Sequence, residues 1–356
     1  MARATQAIID LHALRENYQL AKQGAPDSRA YAVIKANAYG HGMLTVANAL
    51  SSLADGFAVA CVDEALKLRQ AGILLPILVL EGAMDRHECQ AALDLDLELS
   101  LHHEQQVQWL QQAQGSVKVW VKVDTGMHRL GFAVQDVPAV ISDLRACANV
   151  SQIQLMSHFA CADEVGNTFN QYQLDQMETL SPMKLPWSMS NSAALLTQPQ
   201  SHGELVRPGI MLYGASPIVG TTGHDFNLQA VMTLQSEVIA LHSIKAGESV
   251  GYGQTFTATK DTQIAVLAIG YGDGYPRSAK AGTPVLIRGR QWPLVGRVSM
   301  DMMTVDVTNS DVQLGDKATL WGTGLSADEV AHHCNTLSYE LFCRLTGRVK
   351  FQYLGS

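Results

Sequence analysis

The strongest constraint on this chain is a repeated pattern rather than a repeated motif. Short apolar runs alternate with helical stretches through roughly the first two-thirds of its 356 residues. Eight runs read as strands: Ala30–Ile34, Phe57–Cys61, Ile77–Leu80, Leu95–Leu99, Val117–Val123, Ile153–Met156, Trp187–Met189 and Leu205–Tyr213. Helical periodicity fills most of the gaps, as in Asp63–Ala71, His103–Gln114, Val134–Cys147 and Asn167–Leu180. Ahead of the first run, Leu11 to Gln23 places Leu11, Leu14, Tyr18 and either Ala21 or Lys22 on one helix face. Eight strands alternating with helices over about two hundred residues predict an α/β fold, a TIM-like (β/α)8 barrel. A doubly wound open sheet is the rival. It would need a G-x-G-x-x-G opening and a reversal of strand order, and neither is evident.

From about Thr233 the pattern changes. Ser236–Leu241, Ile264–Ile269, Val285–Arg288, Leu294–Val298, Met303–Val307 and Ala318–Trp321 read as strands separated by Gly-, Asp- and Pro-containing turns. One helix, near Ala327–Cys334, interrupts them. The expectation is two domains, a barrel over residues 9–232 and a mainly-β domain over 233–356. Apolar residues make up 47% and charged residues 16%, below the usual quarter, which implies a large interior, extra subunit interface, or both.

A formal net charge of −8, with no Lys/Arg-rich run, argues against a nucleic-acid or anionic-membrane surface. The six cysteines show no C-x-x-C spacing and read as reduced thiols. The N-terminus has no apolar core of signal-peptide length. The longest apolar run, Ala71 to Leu80, is short of a membrane span and contains Pro76. A soluble, cytoplasmic protein is expected.

Candidate chemistry begins at Tyr31-Ala32-Val33-Ile34-Lys35-Ala36-Asn37-Ala38-Tyr39-Gly40-His41-Gly42. Here an apolar strand runs straight into a lysine, and Tyr39 lies one turn beyond it. Desolvating an ammonium is costly, so the lysine either snorkels from the strand end into water or is a neutral or covalently engaged amine. Lys35, Asp124, His158, Asn191-Ser192 and Arg207-Pro208-Gly209 all fall at or near the C-terminal ends of the expected strands, where barrel enzymes carry their sites. Taken singly, His158 reads as a core histidine, Asn191-Ser192 as a helix cap and Gly251-Tyr252-Gly253 as a turn with an exposed aromatic. The remaining histidines, including His102-His103 and His332-His333, read as surface residues, and no metal-site spacing stands out.

The Lys35 stretch resembles the cofactor-lysine motif of the alanine racemases. The likeness continues in family order through Val121–Gly131, Ser157–Ala160, Ser190–Ala194, Val206–Ile210, Gly251–Gly253, Gly270-Tyr271 and Ser299–Asp301, so it spans nearly the whole chain. It implies a pyridoxal 5′-phosphate (PLP) enzyme built of a barrel and a β-domain, to which residues 1–8, around Ala4–Ile8, add a strand. It implies Lys35 as the Schiff-base lysine and one catalytic base, with Tyr252, reaching in from the partner subunit of a homodimer, as the other. It assigns Tyr39, Ser192, Gly209, Ile210 and Tyr339 to the phosphate shell. His158 and Asn191 complete the cofactor site, with Arg207 against the pyridine nitrogen. Arg129 and the Met300 N–H would grip the substrate carboxylate, and Tyr271 would narrow the entrance with Tyr252 and Tyr339. Lys122 stands where many relatives carry a carbamylated lysine, and Ser299 where some have cysteine.

Arginine donates hydrogen bonds and stays charged, so it faces an unprotonated ring nitrogen. That makes a weaker electron sink, suited to brief proton removal and return rather than transamination or decarboxylation. The implied reaction is two-base interconversion of L- and D-alanine, for cell-wall peptidoglycan or alanine catabolism. A broader amino-acid or serine racemase of the same fold is the alternative. A decarboxylase of similar architecture would oppose the ring with a carboxylate, which Arg207 disfavours. A non-catalytic PLP-binding protein would lack the β-domain and Tyr252.

Overall fold

The computed structural model describes residues 4–355. The chain opens with β1 (Gln6–Asp10), and Asp10 caps α1 (Leu11–Gly24) by accepting the N–H groups of His12 and Ala13 at 2.9 and 3.1 Å. The expected face of α1 is buried: Leu11, Leu14, Tyr18 and Ala21 pack inward, while Lys22 pairs with Asp55 at 2.7 Å. Then β2 (Arg29–Val33) leads to the turn α2 (Lys35–Tyr39) and α3 (Met43–Leu50). The alternation continues with β3 (Gly56–Val59), α4 (Val62–Gln70), β4 (Ile77–Val79), α5 (Arg86–Asp94), β5 (Glu98–Leu101) and α6 (Glu104–Gln112). Beyond β6 (Val117–Asp124) and the two-residue β7 (Phe132–Ala133) come α7 (Val137–Arg145), β8 (Val150–Met156), α8 (Thr168–Glu178), β9 (Trp187–Ser188), α9 (Ser192–Thr197) and β10 (Leu205–Val206).

These strands lie in the order β10-β2-β3-β4-β5-β6-β8-β9, and β7 adds to β6. The two ends of that order meet. Glu204 N–H donates to Trp187 O and Arg207 N–H to Ser190 O, each at 2.9 Å, and Ser188 Oγ donates to Leu205 O at 2.6 Å. The result is the expected barrel. Strands β2, β3, β4 and β5 are buried almost throughout, as parallel strands covered on both faces must be.

The second sheet holds β11 (Met232–Ile244), β14 (Thr262–Leu267), β15 (Pro284–Ile287), β16 (Arg290–Val295), β17 (Met303–Asp306), β18 (Lys317–Trp321) and β19 (Lys350–Leu354), and it also takes in β1. Between β11 and β14 the ribbon β12 (Ser249–Val250) and β13 (Phe256–Thr257) projects as a separate hairpin. Because β14 pairs with β11 as well as β17, the sheet curls on itself. Helices α10 (Ala327–His333) and α11 (Ser338–Cys343) follow β18. Strand β1 runs antiparallel to β11 and parallel to β19, so the N-terminal strand does join the β-domain.

Several boundaries differ from expectation. Strand β1 runs two residues past Ile8, so Ile9 and Asp10 belong to the second sheet, and residues 1–3 lie outside the described residues. The expected strand Leu205–Tyr213 ends at Val206. Pro208 has no N–H to continue a ladder, and Ile210–Tyr213 coils into a 3-10 turn, buried and apolar like a strand. Leu95 closes α5 instead of opening β5, which starts at Glu98. Among the described residues no helix is long and apolar enough to cross a membrane.

Candidate active site

The barrel mouth encloses a cavity of about 520 Å3. Lys35, Tyr39, Lys122, Arg129, His158, Asn191, Ser192, Arg207, Gly209, Ile210 and Tyr339 all line it. Four barrel strands reach it through the residues at or just beyond their C-terminal ends, as the fold requires: Lys35 after β2, Lys122 near the end of β6, His158 after β8 and Arg207 after β10. Asp124, at the end of β6, instead holds the turn before Arg129, accepting the N–H groups of Gly126 and His128 at 3.0 Å and His128 Nδ1 at 2.9 Å.

Lys35 does not begin an ordinary helical turn. Ala36, Asn37, Ala38 and Tyr39 have φ of 51°, 55°, 54° and 51°, so the chain turns left-handed for four residues before reaching Gly40. For L-residues this costs roughly 1–2 kcal/mol each. The turn folds Tyr39 back over Gly209, where a Cβ would come within 2.7 Å of the tyrosine hydroxyl. Only glycine leaves that approach open.

Arg207 is buried and held on several acceptors. It donates to Ser188 Oγ through Nη1, and Nη2 lies 2.8 Å from Ser157 O, 3.2 Å from Met189 O and 3.4 Å from His158 Nδ1. Burial pushes its pKa down to about 10, leaving it cationic at neutral pH. Burial, followed by the charge of Arg129, lowers the Lys35 amine below its ordinary range. Lys122 falls much further, through burial and then the neighbouring Arg207, Arg129 and Lys35. His158 is likewise kept neutral by burial, then by Lys122 and Arg207. Burial raises the phenols of Tyr39 and Tyr339, so both stay protonated donors.

Ser192 Oγ accepts the Gly209 N–H at 2.8 Å and the Met211 N–H at 3.4 Å, which leaves its own hydrogen to donate elsewhere. Asn191 caps α9, accepting the Ala194 N–H at 3.0 Å. The expected cap and the expected site residue are the same residue.

Tyr252, Met300 and Tyr271 do not line the cavity of their own chain. They are exposed on the β-domain, at 72%, 53% and 37%. The last two are tied together: Tyr271 N–H donates to Ser299 O at 3.0 Å and Gly272 N–H to Met300 O at 2.8 Å.

Glu81 and Cys343 also line the cavity and were not foreseen. Glu81 follows Leu80 just past β4, so the strand-end rule that found Lys35 would have found it. Cys343 lies one turn after Tyr339 on α11, a helix too short for periodicity to reveal. Among the described residues no group of three or more His, Cys, Asp or Glu side chains converges to hold a metal.

Comparison with known proteins agrees with this geometry. The family model "Alanine racemase, N-terminal domain" matches residues 9–217, and "Alanine racemase, C-terminal domain" matches residues 231–353. Alanine racemase of Stutzerimonas stutzeri is 46% identical over 359 residues, covering 99% of this chain and 100% of that protein. The enzyme of Shewanella baltica is 48% identical over 350 residues, 97% of each chain. Biosynthetic alanine racemase of Pseudomonas aeruginosa superposes with a TM-score of 0.97 at 44% identity, over 99% of this chain and 100% of that one. For alanine racemase of Acinetobacter baumannii the TM-score is 0.95 at 42% identity, covering 99% and 100%. The chain therefore belongs to the alanine racemases, a PLP-dependent family of barrel-plus-β-domain isomerases.

Proposed function

We propose that this chain interconverts L- and D-alanine by taking a proton from Cα on one face and returning it on the other. The observation that carries this reading is the convergence, in one cavity, of a depressed lysine amine, a buried arginine and a shell of hydroxyl and backbone donors. The donor set fits PLP. Ser192 Oγ has a hydrogen to give, Tyr39 and Tyr339 stay protonated, and Gly209 has no Cβ to crowd the Tyr39 hydroxyl. Ile210 would complete that shell, and His158 and Asn191 the rest of the cofactor site. The bound cofactor would supply the electron sink that makes the Cα proton removable. Arg207, a donor with no acceptor, would face its ring nitrogen and hold it unprotonated.

In this reading Lys35 anchors the cofactor and moves the proton on its own face. Its pKa is lowered by burial and then by Arg129, the direction that favours the neutral amine a base must be. Arg129, at the cavity wall, would bind the substrate carboxylate together with the Met300 N–H. Lys122 lies among Arg207, Arg129 and Lys35, opposed by Asp124, so converting its amine to a carbamate anion would relieve the repulsion and orient Arg129. Carbon-13 NMR of the folded protein under labelled carbon dioxide tests this, and the absence of a protein-bound carbamate signal that depends on Lys122 rules it out.

Tyr252 would be the opposite base, contributed across a homodimer whose two sites each draw on both chains. Its exposure, like that of Tyr271 and Met300, outside its own chain's cavity supports that arrangement. The work divides between a barrel and a β-domain meeting near residue 232. Six free cysteines fit a reducing cytoplasm, where D-alanine would serve peptidoglycan or be consumed in alanine catabolism.

The test is to add L-alanine to purified protein and follow D-alanine by chiral separation, alongside the visible absorbance of lysine-bound PLP. Lys35→Ala should lose both signals. Tyr252→Phe should keep the absorbance and lose most racemisation, on the order of a hundredfold or more for a general base. Racemisation at the wild-type rate in Tyr252→Phe would remove the two-base assignment.

A further inference from the structure

The left-handed turn after Lys35 is built against the preference of its own residues. Alanine is a strong right-handed helix former, and of Ala36, Asn37, Ala38 and Tyr39 only Asn37 is a residue type that tolerates this region well. Local sequence does not produce the turn, so contacts from outside must hold it. At the exit, Gly42 N–H donates to Asn37 O at 3.0 Å, and His41 Nδ1 lies 3.1 Å from Ala38 O and 2.9 Å from Tyr39 O. At the entrance the holding group is Glu64. Its Oε1 accepts the Ala36 N–H at 2.7 Å, and its Oε2 accepts the Ala60 N–H at 2.8 Å.

We infer that Glu64 is a positioning residue for Lys35, its carboxylate bridging the chain just past β2 to the chain just past β3 and so fixing the turn from which the lysine projects. The inference rests on reading Lys35 as the cofactor lysine. Glu64 occupies the first turn of α4, where a capping-box carboxylate ordinarily spends itself on its own helix start. Here one oxygen serves that start, through Ala60, and the other reaches the neighbouring strand's turn. Glu64 does not line the cavity, so it acts through the backbone of Ala36 rather than by touching substrate.

Its charge matters as well. Lys35 faces Arg129 from the segment after β6, Glu81 from beyond β4, Glu64 from α4 and Cys343 from α11, while Lys122 and His158 lie across the cavity. Glu64 and Glu81 are the carboxylates in that set, and both oppose the burial and the Arg129 charge that depress the amine.

The experiment uses full-length, cofactor-loaded protein carrying Glu64→Gln. Glutamine keeps one carbonyl oxygen but turns an amide N–H2 toward the second backbone donor. Amide exchange read by mass spectrometry should quicken on the order of tenfold or more in residues 35–43 and at Ala60, while β11 keeps the wild-type rate. The kcat for alanine should fall on the order of tenfold or more with KM within about threefold, because the reacting amine is misplaced while the carboxylate grip is intact. The acid limb of the kcat profile should move to lower pH, since a charge favouring the protonated amine is gone.

Glu64→Asp keeps the charge but is too short to reach both donors. It should reproduce the faster exchange without the shift of the limb. Wild-type exchange in residues 35–43, or a kcat within about twofold of wild type, overturns the proposal. So does faster exchange spread evenly over the chain, which would mark a general stabilising role. If wild-type protein shows no lysine-bound PLP, the reading of Lys35 fails instead, and the exchange comparison alone decides whether Glu64 holds the turn.

Discussion

His41 shows what the Lys35 turn demands of a single side chain. It is fully buried, and its Nδ1 sits on two carbonyls, those of Ala38 and Tyr39, so Nδ1 must carry the hydrogen. Its Nε2 has no partner among the described residues. The ring packs on Tyr213 and, edge-on, on Phe342. Protonating Nε2 would therefore leave a second donor buried without an acceptor, and burial pushes the pKa down from 6.5 to about 4. Since the folded pKa lies below the unfolded one, the unfolded chain binds more protons between those values. Stability from this residue is thus complete above about pH 6.5 and is lost as pH falls toward 4, by about 3 kcal/mol in all. His41→Asn keeps a donor near the Nδ1 position and cannot titrate. Urea unfolding of both proteins at pH 7 and pH 4 should show the wild-type advantage shrinking by about that amount; an unchanged difference would mean that His41 is not the acid-sensitive group. The sequence pattern counts His41 among the surface histidines, and the structure instead buries it, because the left-handed turn brings its ring onto Tyr213 and Phe342 and its Nδ1 onto two carbonyls.

Helix α11 extends the same argument to an element. Its two site-facing residues, Tyr339 and Cys343, are four apart and so share a face, and both line the cavity. A six-residue helix has little stability of its own, and its N-cap, Leu337, offers no side-chain acceptor. What anchors it is Asp328 at the start of α10. Asp328 Oδ1 accepts the Ser338 hydroxyl, while Oδ2 accepts the N–H groups of Ser216 and Gly223 at 3.0 and 2.9 Å from the barrel's last loop. One carboxylate thus joins α10, α11 and the barrel. Asp328→Ala should cost about 3 kcal/mol, because two backbone donors lose a charged acceptor. It should also speed loss of cofactor on dialysis, since Tyr339 would no longer be held over the cavity; retention equal to wild type would show that α11 is positioned by packing alone. Helix α10 was legible in the sequence and α11 was not, because one and a half turns cannot display a period. The run Leu205–Tyr213 misled for the converse reason. Its residues are as apolar as a strand because all of them are buried, and only Pro208 marked where the ladder had to stop. The strand-end residues Lys35, His158 and Arg207 were readable because a barrel fixes where strand ends point. Glu64 was not, since nothing in its helix pattern says which backbone it will reach.

At the scale of the whole molecule, the cavity and the surface have to be explained together. Lys35 and Arg207 lie in a cavity that the same chain's Tyr252, Tyr271 and Met300 do not reach, and those three are exposed on the β-domain. If each site is completed by the second chain, the lesions Lys35→Ala and Tyr252→Phe strike opposite contributions to it. In a hybrid dimer, one site then combines Lys35→Ala in the barrel with Tyr252→Phe from the partner, and the other site has neither. Equal mixing with free exchange makes half the dimers hybrids with one good site each, so activity should rise from near zero to about one quarter of wild type. Recovery should follow the rate of subunit exchange and should be absent when either variant is mixed with more of itself. If the sites are instead complete within each chain, no mixture can exceed the sum of its parents, however long exchange proceeds. Recovery would also bear on the composition, because a charged fraction of 16%, below the usual quarter, fits a chain that gives part of its surface to a subunit interface. That interface would be the one that brings Tyr252 to its substrate.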